Sequence, residues 1–242
     1  MRIQKYISQS GKFSRRKAED EILKGNFLVN GEKAIIGQDV LETDEIIYLS
    51  KEKDRVKKER IYIEKEKKYY LLNKPLGYIC TNKEQFNRPI VTELIKTDVR
   101  LVTVGRLDMY TTGAIILTND GETVQKISHP KYMLDKEYFV TVKGKITDEQ
   151  LEKLKKGVDI DGYVTKPAKI KMLGVNIDKQ TSRFKIIIHE GKNRQVRKMS
   201  KAVGLKVLAL HRNRIGNLDV QKIKQGEYIE LTKKQIDKLL KN

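Results

Sequence analysis

The chain contains one cysteine, Cys80, in 242 residues. Neither a disulfide framework nor a cysteine-based zinc site can form within it; this fits a reducing cytoplasm, with Cys80 a small packing residue. Histidine is almost as scarce. His129, His189 and His211 are scattered without metal-ligand spacing, and each reads as a surface or packing residue. No apolar run approaches the roughly 18 residues that a membrane-spanning helix requires. The opening MRIQKYISQS lacks the long apolar core of a secretion signal. A glycine-rich phosphate loop of the Walker or dinucleotide type is also missing, so nothing points to ATP or NAD. These absences predict a cytoplasmic protein with no membrane partner, metal or cofactor.

Acids are in deficit too. Lys and Arg number 51 against 32 Asp and Glu, a formal net charge of +19, and charged residues make up 34% of the chain. The average soluble protein is about 25% charged. Such an excess favours a polyanionic partner, nucleic acid first and an acidic membrane surface second. The membrane reading lacks an amphipathic basic helix with large aromatic anchors. A Lys-rich, merely solvated surface is the plain alternative.

The length allows one large domain, or one small and one medium domain. Residues 51–60, KEKDRVKKER, are almost entirely charged and read as a linker. That leaves a first unit over residues 1–50 and a second over residues 61–242, long enough for its own core. In the first, Ile3, Tyr6 and Ile7 share one helical face and Gly11 breaks the pattern. Ser14 is placed as N-cap of a second helix, RRKAEDEILKG, in which Ala18 and Ile22 face together and Gly25 closes the end. FLVNGEKAI reads as a hairpin, because Asn30-Gly31 suits the positive backbone angles of a tight turn, and EIIYL follows as a strand. Arg2, Lys5, Lys12, Arg15, Arg16 and Lys17 fall within 17 positions that hold no acid. On two short helices they predict a positive face for a phosphate backbone. The stretch RIQKYISQSGKFSRRKAEDEILKGNFLVNG resembles the RNA-binding module first seen in ribosomal protein S-four, most specifically in Ser-Arg-Arg-Lys-Ala and the closing Val-Asn-Gly. The resemblance adds Ser14 to the RNA-contacting candidates.

The second unit mixes strand-like and helix-like segments without strict alternation. KYYLLNKPLGYICT reads as a strand, a turn and a strand; RLVTVG, GAIILT, KEYFVTVKG, SRFKIIIHEG and KVLALHRNRIG read as strands, and Asn119-Asp120-Gly121 as a turn. TDEQLEKLKKG carries Thr147 and Gln150 at capping-box spacing and Gly157 as a stop. KNRQVRKMSKAVG reads as a helix with Val196, Met199 and Val203 packed inward. The expected fold class is α+β: a small S-four-like domain plus a larger domain on a mixed or antiparallel sheet.

One acid stands out. Asp108 lies in the loop GRLDMYTTG between two strands, where a simple connection with an exposed carboxylate is the default reading. TNDGE lacks the alternating ligands of a calcium loop. From Lys192 to Leu218, however, there are eight Lys or Arg and no Asp or Glu, with Arg194, Arg197 and Lys201 at helical spacing. A run wholly without counter-charges suits a phosphate-contacting surface. It also supplies a cation for a lone carboxylate, and an Asp kept anionic in a partly dry pocket can act as nucleophile or base.

GRLDMYTTGAIILTNDGE, LNKPLGYICT, KEYFVTV and EGKNRQVRKM, in that order, resemble the motifs of the RNA pseudouridine synthases, in the RsuA-like subfamily and nearest its large-subunit, RluB-type branch. The likeness spans nearly the whole chain. It implies isomerisation of uridine within ribosomal RNA, without cofactor or metal. Asp108 matches the essential aspartate, Tyr138 the tyrosine that stacks on the base, and Arg197 the basic residue that pairs with the aspartate. Arg106 and Thr112 are expected to shape the loop or contact phosphate, and Arg194, Lys198 and Lys201 to contact RNA; Asn73-Lys74-Pro75 braces the site, with Lys74 also touching RNA. Met109, Tyr110 and Ala114 depart from common choices, which bears on substrate preference rather than chemistry. The partner implied is large-subunit rRNA or a ribosome-assembly intermediate, met by a monomer. Small-subunit rRNA is the runner-up, and a catalytically silent RNA-binding or assembly factor is the rival of another class.

Overall fold

The computed structural model describes residues 1–52, 55–81, 87–132 and 134–241. The chain folds as two compact units. One comprises residues 1–68 with 97–101 and 119–121, the other the remaining residues.

In the first unit, α1 (Ile3–Gln9) buries Ile3, Tyr6 and Ile7, the face set by their helical spacing. The Ser14 hydroxyl accepts from the Lys17 amide at 3.2 Å and so caps α2 (Arg15–Leu23), which buries Ala18 and Ile22. β1 (Phe27–Val29) and β2 (Glu32–Lys33) form the expected hairpin, with Asn30 at φ 50° and Gly31 at φ 89°. β3 (Ile46–Glu52) pairs antiparallel with β1, and β4 (Arg55–Arg60) with β3, giving the order β2-β1-β3-β4. Within the expected linker, residues 51–52 and 55–60 are therefore strand, and residues 53–54 lie outside the described residues. The strands form a two-stranded extension of this sheet, from Ile47 opposite Arg60 to Glu52 opposite Arg55. Backbone pairing holds β4, whose side chains are almost all exposed, so no apolar period marks it. Ile61, the expected first residue of the second unit, is 1% exposed within the first unit's core beside Phe27 and Ile46.

The second unit is built on one mixed sheet. Its strands are β5 (Tyr69–Lys74), β6 (Val102–Val104), β7 (Thr111–Thr118), β8 (Lys136–Lys143), β11 (Lys169–Asn176), β12 (Thr181–Ile188), β13 (Val207–Ile215), β14 (Leu218–Asp219) and β15 (Tyr228–Glu230). The order is β11-β12-β8-β13-β7-β5-β15, with β6 on β7 and β14 on β13. Among the described strands only β13 and β7 pair in parallel; their other ladders are antiparallel. A separate pair, β9 (Asp159–Ile160) and β10 (Tyr163–Val164), forms a small hairpin. The helices are α3 (Gly121–Ser128), α4 (Asp148–Lys156), α5 (Gln195–Ala202) and α6 (Lys233–Lys241). Among the described residues no helix is long and apolar enough to cross a membrane.

β5 and β7 sit inside the sheet, and Ala114 to Thr118 is buried throughout, which explains why GAIILT reads as a continuous apolar run. Tyr69, Leu71, Ile116, Ile215, Leu231, Ile236 and Leu239 share one core, where α6 lays its apolar face. At the parallel seam Gly113 (φ 108°) stands opposite Arg212, and a β-carbon on it would lie 2.2 Å from the Arg212 carbonyl oxygen. Only glycine fits. The α4 capping box is present, with Gln150 N to Thr147 Oγ1 at 3.2 Å and Thr147 N to Gln150 Oε1 at 3.0 Å.

Several elements differ from the sequence reading. After β5 the chain makes only an isolated bridge, Ile79 with Ile90, rather than a second strand. Asn119-Asp120-Gly121 leads directly into α3. α5 begins later than expected, because Arg194 adopts a left-handed conformation (φ 52°, ψ 31°) before the first helical turn. Val196 and Met199 are buried as expected, while Val203, just past the helix, is half-buried.

Candidate active site

The Asp108 loop is held from several sides. The Asp108 carbonyl accepts from the Thr111 amide at 3.1 Å, while Asp108 Oδ1 accepts from the Tyr110 amide at 2.9 Å, closing a tight Asx-type turn. The Gly77 amide donates to the Met109 carbonyl at 2.8 Å. Lys74, which is 0% exposed, donates from Nζ to the carbonyls of Pro75 and Thr111, each at 2.9 Å. Burial pushes its ammonium below the ordinary lysine value, partly opposed by Cys80 and Asp108. The Leu107 amide points at Cys80 Sγ, 3.4 Å away, and the thiol is buried. Asn73 donates to the Ile223 carbonyl at 2.6 Å. Asn73-Lys74-Pro75 thus braces the loop. Lys74, also expected to touch RNA, places its ammonium on two backbone carbonyls beneath the surface.

α5 delivers Arg197 to the same loop. Arg197 Nε lies 3.3 Å from Asp108 Oδ2, and Nη2 donates to the Tyr110 carbonyl at 2.7 Å and to Thr111 Oγ1 at 3.2 Å. One planar guanidinium therefore pairs with the carboxylate and pins the backbone after it. Arg194 Nη1 lies 3.9 Å from Asp108 Oδ2 and is more exposed. The side chains of Asp108 and Arg197 are 21% and 14% exposed, a setting that screens their attraction less than open water does.

Asp108, Arg106, Thr111, Lys136, Tyr138, Arg194 and Arg212 line one cleft of about 730 Å³, within the range of small-molecule sites. Tyr138, on β8, is 8% exposed. The structure thus brings Asp108 and Tyr138 to one cleft and sets Arg197 against Asp108, from three well-separated stretches of sequence. Arg106 and Arg194 sit at the cleft with exposed side chains.

Other expected contacts lie elsewhere. Thr112 points away from its neighbour Thr111, as successive strand residues do, and its Oγ1 pairs with His211 Nδ1 at 2.9 Å. Burial lowers the pKa of that imidazole, and its ring stacks on Phe139. Thr112 is therefore a strand-to-strand tie rather than part of the loop. Lys198 pairs with Asp161 at 2.6 Å, and Lys201 is exposed in the last turn of α5.

In the first unit Arg15, Arg16 and Lys17 are exposed on α2, and Lys17 pairs with Glu21 at 2.8 Å. Arg2 pairs with Asp39 and Lys12 with Glu59; Lys5 is half-buried. The Ser14 hydroxyl is engaged in its cap. Sequence reasoning passed over Lys136 and Arg212 as site residues. Both lie inside stretches already singled out, KEYFVTV and the acid-free run, but nothing local separates a cleft-facing cation from a solvated one.

A family model described as RNA pseudouridylate synthase matches residues 68–202, and one described as S4 domain matches residues 1–46. The chain is 40% identical to a ribosomal large subunit pseudouridine synthase B of Bacillus subtilis, covering 98% of this chain and 95% of that one. It is 36% identical to an uncharacterized RNA pseudouridine synthase of Aquifex aeolicus, covering 100% and 94%. It is 37% identical to a dual-specificity RNA pseudouridine synthase RluF of Escherichia coli O6:H1, covering 100% and 79%. A crystal structure of a pseudouridylate synthase superposes with a TM-score of 0.67 at 30% identity over 99% of both chains. With the motif order, the mixed sheet and the aspartate cleft in agreement, the chain belongs to the RNA pseudouridylate synthase family, with an S4 domain at its N-terminal end.

Proposed function

We propose that this protein converts a specific uridine of ribosomal RNA to pseudouridine, that the target lies in the large-subunit RNA, and that Asp108 is the catalytic carboxylate. The observation that carries the reading is Asp108, paired with Arg197, in a cleft also lined by Tyr138. The choice of the large subunit rests on the Bacillus subtilis relative, which this chain matches over nearly its full length. The enzyme acts as a cytoplasmic monomer on rRNA or on an assembling particle.

The reaction is an isomerisation, so nothing is added and nothing leaves. The bond between uracil N1 and ribose C1′ breaks, the detached base turns, C5 bonds to C1′, and the proton lost from C5 is matched by one gained at N1. Asp108 either attacks C1′ or takes a proton from C2′. Arg197 keeps its carboxylate in place for both roles and holds the loop through Tyr110 and Thr111. The target nucleotide must leave its stack, at a cost of a few kcal/mol. Stacking on the Tyr138 ring offsets about 1–3 kcal/mol of it. A single carboxylate suffices, because no water has to be activated as in a two-carboxylate glycosidase.

Asp108→Asn tests the assignment. RNA affinity is expected to stay within a few-fold of the unaltered protein while pseudouridine formation disappears. Product formed at an unchanged rate would remove Asp108 from the chemistry. Mapping pseudouridines across ribosomal RNA from cells with and without the gene identifies the target.

A further inference from the structure

A second set of charges in the cleft is not used by the Asp108–Arg197 pair. Arg212, on β13, stands opposite Tyr138 of β8 in the antiparallel ladder, so the two side chains share a sheet face. Lys136 precedes Tyr138 by two positions on β8 and lies on that face as well. All three line the cleft that contains Asp108.

Arg212 is 4% exposed. Its Nε donates to the Ala114 carbonyl at 2.7 Å, and its Nη2 is buried without any partner. Among the described residues no carboxylate forms an ion pair with it. A guanidinium cannot shed its charge, so a buried, unmatched donor on it carries a desolvation penalty. Lys136 donates from Nζ to the Leu134 carbonyl at 3.0 Å. Burial, then the Arg212 charge, lowers its pKa to about 8, with Asp135 and Glu190 acting in the opposite direction. Two cations thus line one cleft, the Arg212 charge making Lys136 harder to charge, with Glu190 the one acid beside Asp108 among the described lining residues.

We propose that Arg212 and Lys136 form the wall against which the uracil ring carries its negative charge, and that both act as catalytic residues at the detached base. When the N1–C1′ bond breaks, its electron pair stays with the base, and the charge spreads over the ring and its carbonyl oxygens until C5 bonds to C1′. Neither cation accepts or donates a proton in this step. The wall attracts the charged base more than the neutral one, so its contribution appears in the transition state rather than in binding. It also holds the detached base in the cleft between the two bonds. This deepens the proposed uridine isomerisation and rests on it.

The test compares two probes. The uridine that the unaltered protein converts in a large-subunit rRNA transcript is first located. Short RNAs are then made with uridine or 5-fluorouridine at that position, and loss of the original nucleoside is followed in single turnovers. Fluorine withdraws electrons and lowers the charge that the protein must stabilise. Arg212→Gln and Lys136→Gln are each expected to slow uridine conversion about 10²–10³-fold, with RNA affinity nearly unchanged. For 5-fluorouridine the slowing is expected to shrink to about a tenth of that. A purely structural role gives the same slowing on both RNAs, and equal slowing or none overturns the assignment. Should Arg212→Gln fail to fold, the half-buried Lys136→Gln decides alone. If the unaltered protein converts no uridine, the isomerase reading itself falls; if it converts uridine and the two slowings are equal, only the cation wall falls.

Discussion

Gly113 illustrates how much one residue can fix. Its φ of 108° and the 2.2 Å that would separate a β-carbon from the Arg212 carbonyl leave no room for any side chain. Gly113→Ala is expected to cost at least about 2 kcal/mol, the sum of an unfavourable backbone conformation and overpacking. Urea unfolding measures it, and a loss below about 0.5 kcal/mol would contradict the close approach. Nothing in the sequence around Gly113 shows this constraint, because Arg212 lies 99 positions further along the chain. Lys74 teaches the same lesson. A lysine beside a proline reads as exposed and available to RNA; the carbonyls of Pro75 and Thr111 make its burial tolerable, and only the folded loop brings them together. Asp108 and Arg197 were legible because the motifs around them carry specific residues at fixed spacing, whereas Lys136 and Arg212 look like any other cations in a Lys-rich chain.

At the scale of elements, α2 is tied down by an acid. Glu21 is 5% exposed and contacts Lys17 at 2.8 Å, Lys24 at 3.0 Å and Asn26 Nδ2 at 2.7 Å. The hydrogen bond from Lys17, then that from Asn26, hold its pKa at about 2 against the desolvation that would raise it. A carboxyl whose pKa falls on folding stabilises the folded state fully above its unfolded value near 4.5, and the contribution is lost as pH drops from there toward 2. The loss is on the order of 2–3 kcal/mol. Stability measured between pH 5 and 2 should fall more steeply for the unaltered protein than for Glu21→Gln; parallel curves would refute the tie. Elements with strong periodicity or caps, such as α1, α2, α4 and the core of β7, were readable from the sequence. β4 was not, since its side chains are exposed and its order comes from backbone pairing. β11 has a weakly alternating sequence at the edge of its sheet, and α6 was passed over although Ile236 and Leu239 are fully buried.

For the whole molecule the net charge of +19 sets the salt response. RNA affinity should fall linearly on log-log axes as salt rises, with each Lys or Arg that neutralises a phosphate adding about 0.7–0.9 to the slope. Replacing Arg15 and Arg16 together by Ala should flatten the slope by about 1.4–1.8 if both meet phosphates. An unchanged slope would take the exposed start of α2 out of the RNA-binding surface. The S4 domain and the overall class were plain in the sequence because both rest on contiguous patterns; the boundary near residue 68 was not, since charge density alone suggested a break at 51–60.

β4 closes one border of its sheet with Arg55, Lys57, Lys58 and Arg60 in six positions. An open strand border is an invitation for a neighbouring chain to dock and start a fibre. Here a like chain arriving edge to edge would bring a matching row of cations, and the two would repel. The stretch whose charge disguised it as a tether thus carries side chains that disfavour pairing along this border of the sheet.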